Sequence, residues 1–324
     1  MILTKPKLEK LPFYLSPSSL WAIENTPCTF YLERLIQDCY EREPQSPPSA
    51  VGSAFDFFIK IHLAKHMSSR LNVKGNVLKM EDLRNVLMRG MHSSEQKALY
   101  QGKSVNDILW QTNVQPHMRT EAAGAGKLLF DEYNNAMPED WEYRYDDIEI
   151  HSNYDLHWKG INIPLLGKAD ASVKLPSIWK DRVNTKSVPL DWKVKGYGSQ
   201  ASPTKGYFDI WDKGEWKHKP HKDYYCNIPM DSIDVNYATQ LCTYGWMLGI
   251  SPGTPFPAYI EQIVIRNNSI RVALYEGIIT REFQLNLAER YYQAWTKLRS
   301  GRFLQDIPCD VDLVKIIASS EGWW

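Results

Sequence analysis

Two short runs near the middle of the chain set the tightest limit on what it can fold into. The first, Leu165 to Leu175, reads as a strand carrying one carboxylate, Asp170. The second, Val188 to Val194, alternates Leu190, Trp192 and Val194 against Asp191, Lys193 and Lys195. Side chains two apart on a strand share a face, so Asp191 and Lys193 point one way and Trp192 the other. Taken alone, such a strand is most simply one that turns a solvated face outward. A hairpin-like return from the first run, however, brings Asp170 beside Asp191.

Two carboxylates and a lysine converging from adjacent strands make a site for a hard divalent cation. Mg²⁺ takes oxygen ligands, keeps several waters and is usually held by one or two protein carboxylates plus a substrate phosphate. Such a cation lowers the pKa of its water and neutralises charge at phosphorus. A lysine ammonium beside it is a compact point charge that orients a nucleophilic water or stabilises developing charge.

Helices flank these strands in the sequence. Ser16 caps a helix with Pro17 at its first position, continuing through Leu20, Trp21 and Ile23 and resuming after Pro27. A second helix begins near Ala50 and carries Asp56 in an early turn, where the helix dipole favours an acid. His62 and His66 are four apart on it, but a zinc protease needs Glu at position 63 and the residue is Leu63, so both read as surface or packing residues. Helix-like spacing recurs over residues 80–136. Within it, Gly124-Ala125-Gly126-Lys127 imitates a phosphate loop, but Glu121 and Leu128 stand where that loop needs Gly and Ser or Thr.

Strands are expected at 141–151 and 155–158, separated by turn residues, leading into the central runs. After them a helix from Asp234 to Ile250 aligns Tyr237, Gln240, Leu241, Tyr244 and Met247 along one side. A hairpin about Asn267-Asn268 and a last helix, Thr280 to Arg299, complete the pattern.

Residues 196–234 are the least regular. Seven aromatics, from Tyr197 to Tyr225, interleave there with Lys205, Lys213, Lys217, Lys219 and Lys222. That mixture suits stacking on unpaired bases, and it equally suits an insertion whose lysines are solvated. At 324 residues, 43% apolar and 23% charged, the composition is that of an ordinary soluble protein. The 38 basic and 38 acidic residues cancel, which argues against a uniformly positive surface but leaves room for a local basic groove. Five scattered cysteines form neither a disulfide framework nor a zinc site, and point to a reducing compartment. The N-terminus lacks an apolar signal region, and no apolar run approaches the roughly 18–20 residues of a membrane helix.

Asp170 followed by Asp191-Trp192-Lys193 resembles the D…(D/E)xK signature of the PD-(D/E)XK nuclease superfamily. Gly167 before Asp170, and Tyr237-x-x-Gln240-Leu241-x-x-Tyr244 after Lys193, narrow the likeness to the RecB-like exonuclease branch, similar to the CRISPR-associated RecB-like exonucleases. The resemblance implies an α/β fold with a central mixed β-sheet flanked by helices, a restriction-endonuclease-like core. An N-terminal helical portion, residues 1–140, would complete the nuclease core of 141–300, with an insertion at 196–234 and a tail at 301–324. It implies Mg²⁺ or Mn²⁺ held by Asp170, Asp191, the Trp192 carbonyl and Asp56, the last standing where relatives carry a histidine in Gly-x-x-x-His. Lys193 would orient the attacking water, with Gln240 and Tyr244 facing the site.

Some relatives bind an iron–sulfur cluster through four cysteines. Here Cys28 is followed, after the motif, only by Cys226, Cys242 and Cys309, so no cluster is expected and Cys28 reads as a buried apolar residue. The expected partner is DNA, with protein partners in a recombination or replication complex, in the cytoplasm of a bacterial or phage-infected cell. Two other readings stand beside this one: a catalytically impaired DNA-end- or partner-binding module, and a metal-dependent hydrolase acting on something other than nucleic acid.

Overall fold

The structure, a computed structural model, describes residues 12–35, 46–70, 116–195, 211–212, 215–216, 225–229, 233–266 and 269–303. Six strands form one sheet: β1 (Tyr145–Trp158), β2 (Ile161–Lys174), β3 (Ser187–Lys195), β6 (Tyr225–Pro229), β7 (Phe256–Arg266) and β8 (Ser269–Ile279), in the order β1-β2-β3-β7-β8-β6. The pairs β2/β3 and β7/β8 are antiparallel, while β3/β7 and β6/β8 are parallel, so the sheet is mixed. Two-residue strands β4 (Trp211–Asp212) and β5 (Glu215–Trp216) pair with each other. The helices among the described residues are α1 (Pro17–Asn25), α2 (Pro27–Phe30), α3 (Pro47–Arg70), α4 (Pro116–Ala136), α5 (Val235–Met247) and α6 (Arg281–Arg299). The chain is therefore α/β, with a mixed sheet flanked by helices and further helices at its N-terminal end, as expected.

Local chemistry explains the element ends. The Ser16 hydroxyl accepts from the Ser19 backbone N–H at 3.1 Å, and Pro17 opens α1. Asp234 caps α5 in the same way, accepting from the Asn236 N–H at 2.9 Å. After Pro27 only a single α-helical turn forms before a π-helical turn, Tyr31–Leu35. The phosphate-loop imitation lies inside α4, where Gly126 meets α3: a Cβ there would come within 2.5 Å of the Ala54 Cβ. Glycine is what lets the two helix backbones approach so closely.

Two strand expectations need correction. Trp141–Arg144 forms a 3₁₀ turn, and β1 then runs unbroken from Tyr145 through the expected turn at 152–154. The reversal comes at Lys159-Gly160, with φ of 49° and 76°. Two successive positive φ values give the tight turn whose twist matches paired antiparallel strands, and it needs just two residues.

The irregular 196–234 region contributes β6 to the sheet. The sequence expectations for Tyr197, Lys205, Tyr207, Phe208, Lys213, Lys217, Lys219, Lys222 and Tyr224 lie outside the described residues, as do the Asn267-Asn268 turn, Cys39, Cys309, the part before Pro116 of the helical stretch expected over 80–136, and the tail beyond Phe303. Cys28 is half-buried and not fully enclosed, whereas Cys242 is buried.

The chain divides into two compact units. One is assembled from Met1–Glu43, Asn153–Leu166 and Glu282–Trp324. In it Leu15 pairs with the β2 start, its N–H donating to Pro164 at 2.8 Å, and Arg290 forms a two-pronged ion pair with Glu24 at 2.9 and 2.5 Å. The other unit, Pro44–Ser152 and Gly167–Arg281, holds most of the sheet and the helices α3, α4 and α5. Phe55, Tyr133, Tyr145, Trp246, Phe256 and Tyr275 are fully enclosed in its core. The burial of each such side chain contributes roughly 1.5–3 kcal/mol. No helix among the described residues is long and apolar enough to cross a membrane.

Candidate active site

The central strands meet as the sequence suggested. In the antiparallel β2/β3 pair, Ala171 lies opposite Leu190, which sets the next residues out, Asp170 and Asp191, side by side. Their carboxyl groups are within hydrogen-bonding reach of each other. Lys193, two residues along β3, places its Nζ 2.5 Å from Asp191 Oδ2. Gln240 on α5 accepts from that ammonium at 3.3 Å, and the Tyr237 ring lies 4.5 Å beneath it. One helical turn separates neither residue from the lysine's reach, so α5 fixes Lys193 from two sides.

Helix α3 supplies the other half. Asp56 and Lys60, four residues apart, are neighbours on one helix face. The buried Lys60 ammonium lies 2.6 Å from Asp56 Oδ2 and 3.4 Å from Asp170 Oδ1, and it also contacts Glu149. Glu149 in turn contacts Lys168 and sits 3.3 Å from His151. Glu149 reaches this cluster because β1 is irregular there. Its φ is 50°, and Ile148 and Glu149 are buried in succession, as at a bulge that re-aims one side chain. A left-handed backbone at a non-glycine residue costs on the order of 1–3 kcal/mol, and such strain gathers at functional sites.

The charges are unevenly satisfied. Burial and the nearby Asp170 push the Asp191 carboxyl up to about 7, although Lys193 opposes them. Burial likewise raises Asp56 to about 6 against the pull of Lys60. Burial also works on Asp170, but Lys60 and Lys193 outweigh it and hold that carboxyl below its ordinary value. Glu149 is held well below its ordinary range, Lys168 and Lys60 overcoming the penalty of burial. Burial works to lower the Lys60 and Lys193 ammoniums, but the surrounding carboxylates prevail and raise both. Four carboxylates thus share three ammoniums, which leaves one negative charge in excess when all are ionised.

Of the residues picked out in the sequence, Asp56, Asp170, Asp191, Lys193 and Gln240 come together. Tyr244 packs against β2 at Gly167, where a Cβ would lie 3.0 Å from the tyrosine Cε1 and 2.6 Å from Met247 Sδ. Gly167 therefore makes room for α5. The Trp192 side chain turns away from Asp191, leaving its carbonyl as the group it can offer. His62 and His66 are packing residues: His62 stacks on Trp141 and meets Glu142 at 2.7 Å, and His66 lies edge-on to Tyr143. Sequence reasoning missed Lys60, Glu149 and Lys168, and placed Tyr237 in the helical motif without giving it a role at the site. The spacing Asp56-x-x-x-Lys60 was a visible signal for the first. Nothing in Ile148-Glu149-Ile150 announces a bulge, and the strand period by itself turns Glu149 to the face opposite its apolar neighbours.

The donors here fit a hard divalent cation. Among the described residues, no group of three or more His, Cys, Asp or Glu side chains is placed to hold a metal ion by itself. Asp170 and Asp191 nevertheless present adjacent oxygens, and Asp56 Oδ1 is buried with no hydrogen-bond partner among the described residues. Oxygen donors, few in number and already charged in excess, are what Mg²⁺ or Mn²⁺ takes when it keeps waters and shares a substrate phosphate.

The opposite side of β3 carries a second buried polar cluster. Glu261 on β7, paired with Trp192 in the parallel register, is fully enclosed. It accepts from the Tyr133 hydroxyl at 2.6 Å, the Tyr145 hydroxyl at 2.9 Å and the Trp192 indole at 3.0 Å, and Arg144 forms an ion pair with it.

No protein-family model matches the chain, and no curated protein matches it. A solved structure described as the crystal structure of SSO0001 aligns at 17% identity over 73% of this chain and 86% of its own, with a TM-score of 0.26. A superposition that loose supports no conclusion about fold or function.

Proposed function

We propose that the chain is a metal-dependent DNA nuclease of the PD-(D/E)XK superfamily, RecB-like branch, acting as an exonuclease in recombination, repair or phage DNA metabolism in the cytoplasm of a bacterial or phage-infected cell. The observation that carries this reading is the meeting of Asp170, Asp191 and Lys193 on adjacent strands, with Gln240 of α5 holding the lysine. Asp170 and Asp191, with the Trp192 carbonyl and Asp56 beside them, would hold Mg²⁺ or Mn²⁺, which supplies Lewis acidity and an activated water when bound.

The chain's own residues do the rest. Lys193 keeps its proton, because Asp191 and Asp170 raise it above its ordinary value despite burial. It is therefore a donor that positions the nucleophilic oxygen and meets negative charge gathering on the phosphoryl group, and not a base that removes a proton. Gln240 and the Tyr237 ring hold the ammonium in place where it meets Asp191. The single excess negative charge suits the load: a divalent cation and one phosphodiester together bring the cluster to neutrality.

Degradation of end-labelled linear and circular DNA, single- and double-stranded, with Mg²⁺, Mn²⁺ or EDTA, tests the reading. Metal-dependent loss of linear DNA, absent in Asp191→Ala and Lys193→Ala, is the expected result, and cutting of circles would make the enzyme an endonuclease. DNA binding without degradation under any metal would point to the impaired binding module. Activity surviving in both variants would remove the site altogether.

A further inference from the structure

Lys60 is an unusual group to find beneath a metal site. Its side chain is 3% exposed, and its ammonium contacts three carboxylates from three elements: Asp56 of α3, Glu149 of β1 and Asp170 of β2. The centroid of the Trp192 ring lies 5.9 Å away. A lysine is seldom fully enclosed unless it is paired, and enclosing one is costly unless its partners repay the lost hydration. Here three partners do so, and the bulge at Glu149 delivers one of them.

Asp170 connects this ammonium to the catalytic strands. One of its oxygens faces Lys60, while the carboxyl group also lies within hydrogen-bonding reach of Asp191. The Asp170 carboxylate thus lies between two positions that attract a cation. In two-metal phosphodiester hydrolases, two ions about 3.5–4 Å apart occupy such paired positions. Here the inner one already holds a covalently tethered positive charge.

Resting on the nuclease reading above, we infer that Lys60 is a resident cation: a positioning residue that fills the second-metal place, fixes Asp170 toward Asp191, and makes this a one-metal site. Asp56 then serves first as a counter-ion to Lys60. This accounts for an aspartate four residues before a lysine on α3, since the two side chains are spaced to meet.

The test counts Mn²⁺ bound per chain without DNA, by titration calorimetry and by electron paramagnetic resonance of free Mn²⁺, on wild type, Lys60→Ala and Lys60→Met. Wild type is expected to bind one ion. Lys60→Ala vacates the inner position beside three carboxylates and is expected to bind two, with its unfolding midpoint rising more steeply with Mn²⁺. Lys60→Met fills the space without charge and is expected to bind one ion, with cleavage lowered by on the order of 10-fold or more as Asp170 loses its anchor. Two ions on wild type would overturn the inference even if neither variant folds. One ion on both wild type and Lys60→Ala would overturn it while leaving the nuclease reading intact. No ion on wild type would remove the nuclease reading itself, and the inference with it.

Discussion

Strand β3 carries two charged clusters that differ in how completely their charges are paired. On the Trp192 side, Glu261 receives two hydroxyls, an indole N–H and a guanidinium, so its carboxylate has a donor for nearly every lone pair. On the Asp191 side, carboxylates outnumber ammoniums, and two of them are held far above the ordinary carboxylate range, at about 7 and about 6. Both lie along the same strand, but Glu261 is fully enclosed whereas Asp56, Asp170 and Lys168 on the other side are partly exposed. The first is complete as it stands, which is how a structural polar network behaves. The second is short of positive charge, which is how a site awaiting a cation behaves. The difference that separates the two roles lies in the balance of donors and acceptors.

Substitution should separate the two sharply. Asp191→Ala and Lys193→Ala are expected to lower DNA cleavage by about 10³-fold or more, roughly 4 kcal/mol of transition-state stabilisation. Asp191→Ala should stay folded, because it relieves a crowded carboxylate; Lys193→Ala should stay folded with a somewhat lower midpoint, because Asp170 and Asp191 lose the ammonium that offsets their burial. Measured side by side, cleavage rates and urea midpoints would break the comparison if either variant unfolded before it lost activity. Glu261→Ala should do the reverse. It strands Arg144 and three neutral donors in the interior, at a cost of about 3–5 kcal/mol. Its urea midpoint should collapse, and a midpoint close to wild type would show that the Glu261 cluster carries little of the fold.

Much of this contrast was legible in the sequence, but unevenly. Asp170, Asp191, Lys193 and Gln240 could be read because strand alternation and helical spacing are regular there, and β2, β3 and α5 keep those periods. Glu149 could not be read, because a bulge with a positive φ cancels the alternation that Ile148-Glu149-Ile150 advertises. Lys60 stood in plain view four residues after Asp56, yet an i,i+4 ion pair is ordinarily a surface feature, and only the packing of α3 makes this one buried. The Glu261 cluster draws Arg144, Tyr133 and Trp192 from positions 117, 128 and 69 residues away, a convergence no local pattern encodes. The 3₁₀ turn at Trp141–Arg144 was mistaken for strand for the same reason: its aromatic residues suit either state, and tertiary packing chose between them.

A smaller effect follows from pH. Asp191 is ionised above about pH 4 in the unfolded chain but holds its proton to about pH 7 when folded, and Asp56 does so to about pH 6. Between those limits the folded protein binds more protons, so its stability falls as pH rises from about 5 to about 7, by up to about 1.4 kcal/mol per unit for each group. Asp170 and Glu149 are shifted the other way, and their contribution is already complete at the acid end of that window. Urea unfolding at pH 5, 6 and 7, for wild type and Asp191→Asn, isolates the contribution of Asp191. Saturating Mg²⁺ should flatten the wild-type slope, since the cation takes the proton's place. A slope equal in the two proteins would mean that Asp191 is not the group kept protonated.

The smallest effect tests whether the Glu261 side is as complete as its geometry suggests. Tyr133→Phe deletes a hydroxyl that donates to Glu261 at 2.6 Å and leaves the aromatic ring in place against Phe55 and Trp141. The carboxylate keeps Tyr145, Trp192 and Arg144, so it is not stranded, and the loss should be that of one hydrogen bond to a charged acceptor, about 1.5–3 kcal/mol at most. Because Trp192 and Asp191 are consecutive on β3, a strand that shifted with the lost hydroxyl would move the Asp191 carboxylate too. Cleavage within about twofold of wild type, alongside a modestly lower urea midpoint, means that the remaining donors hold β3 in place. A loss of cleavage much larger than the loss of stability would mean that the Glu261 network aims Asp191, and that the two sides of the strand are one device.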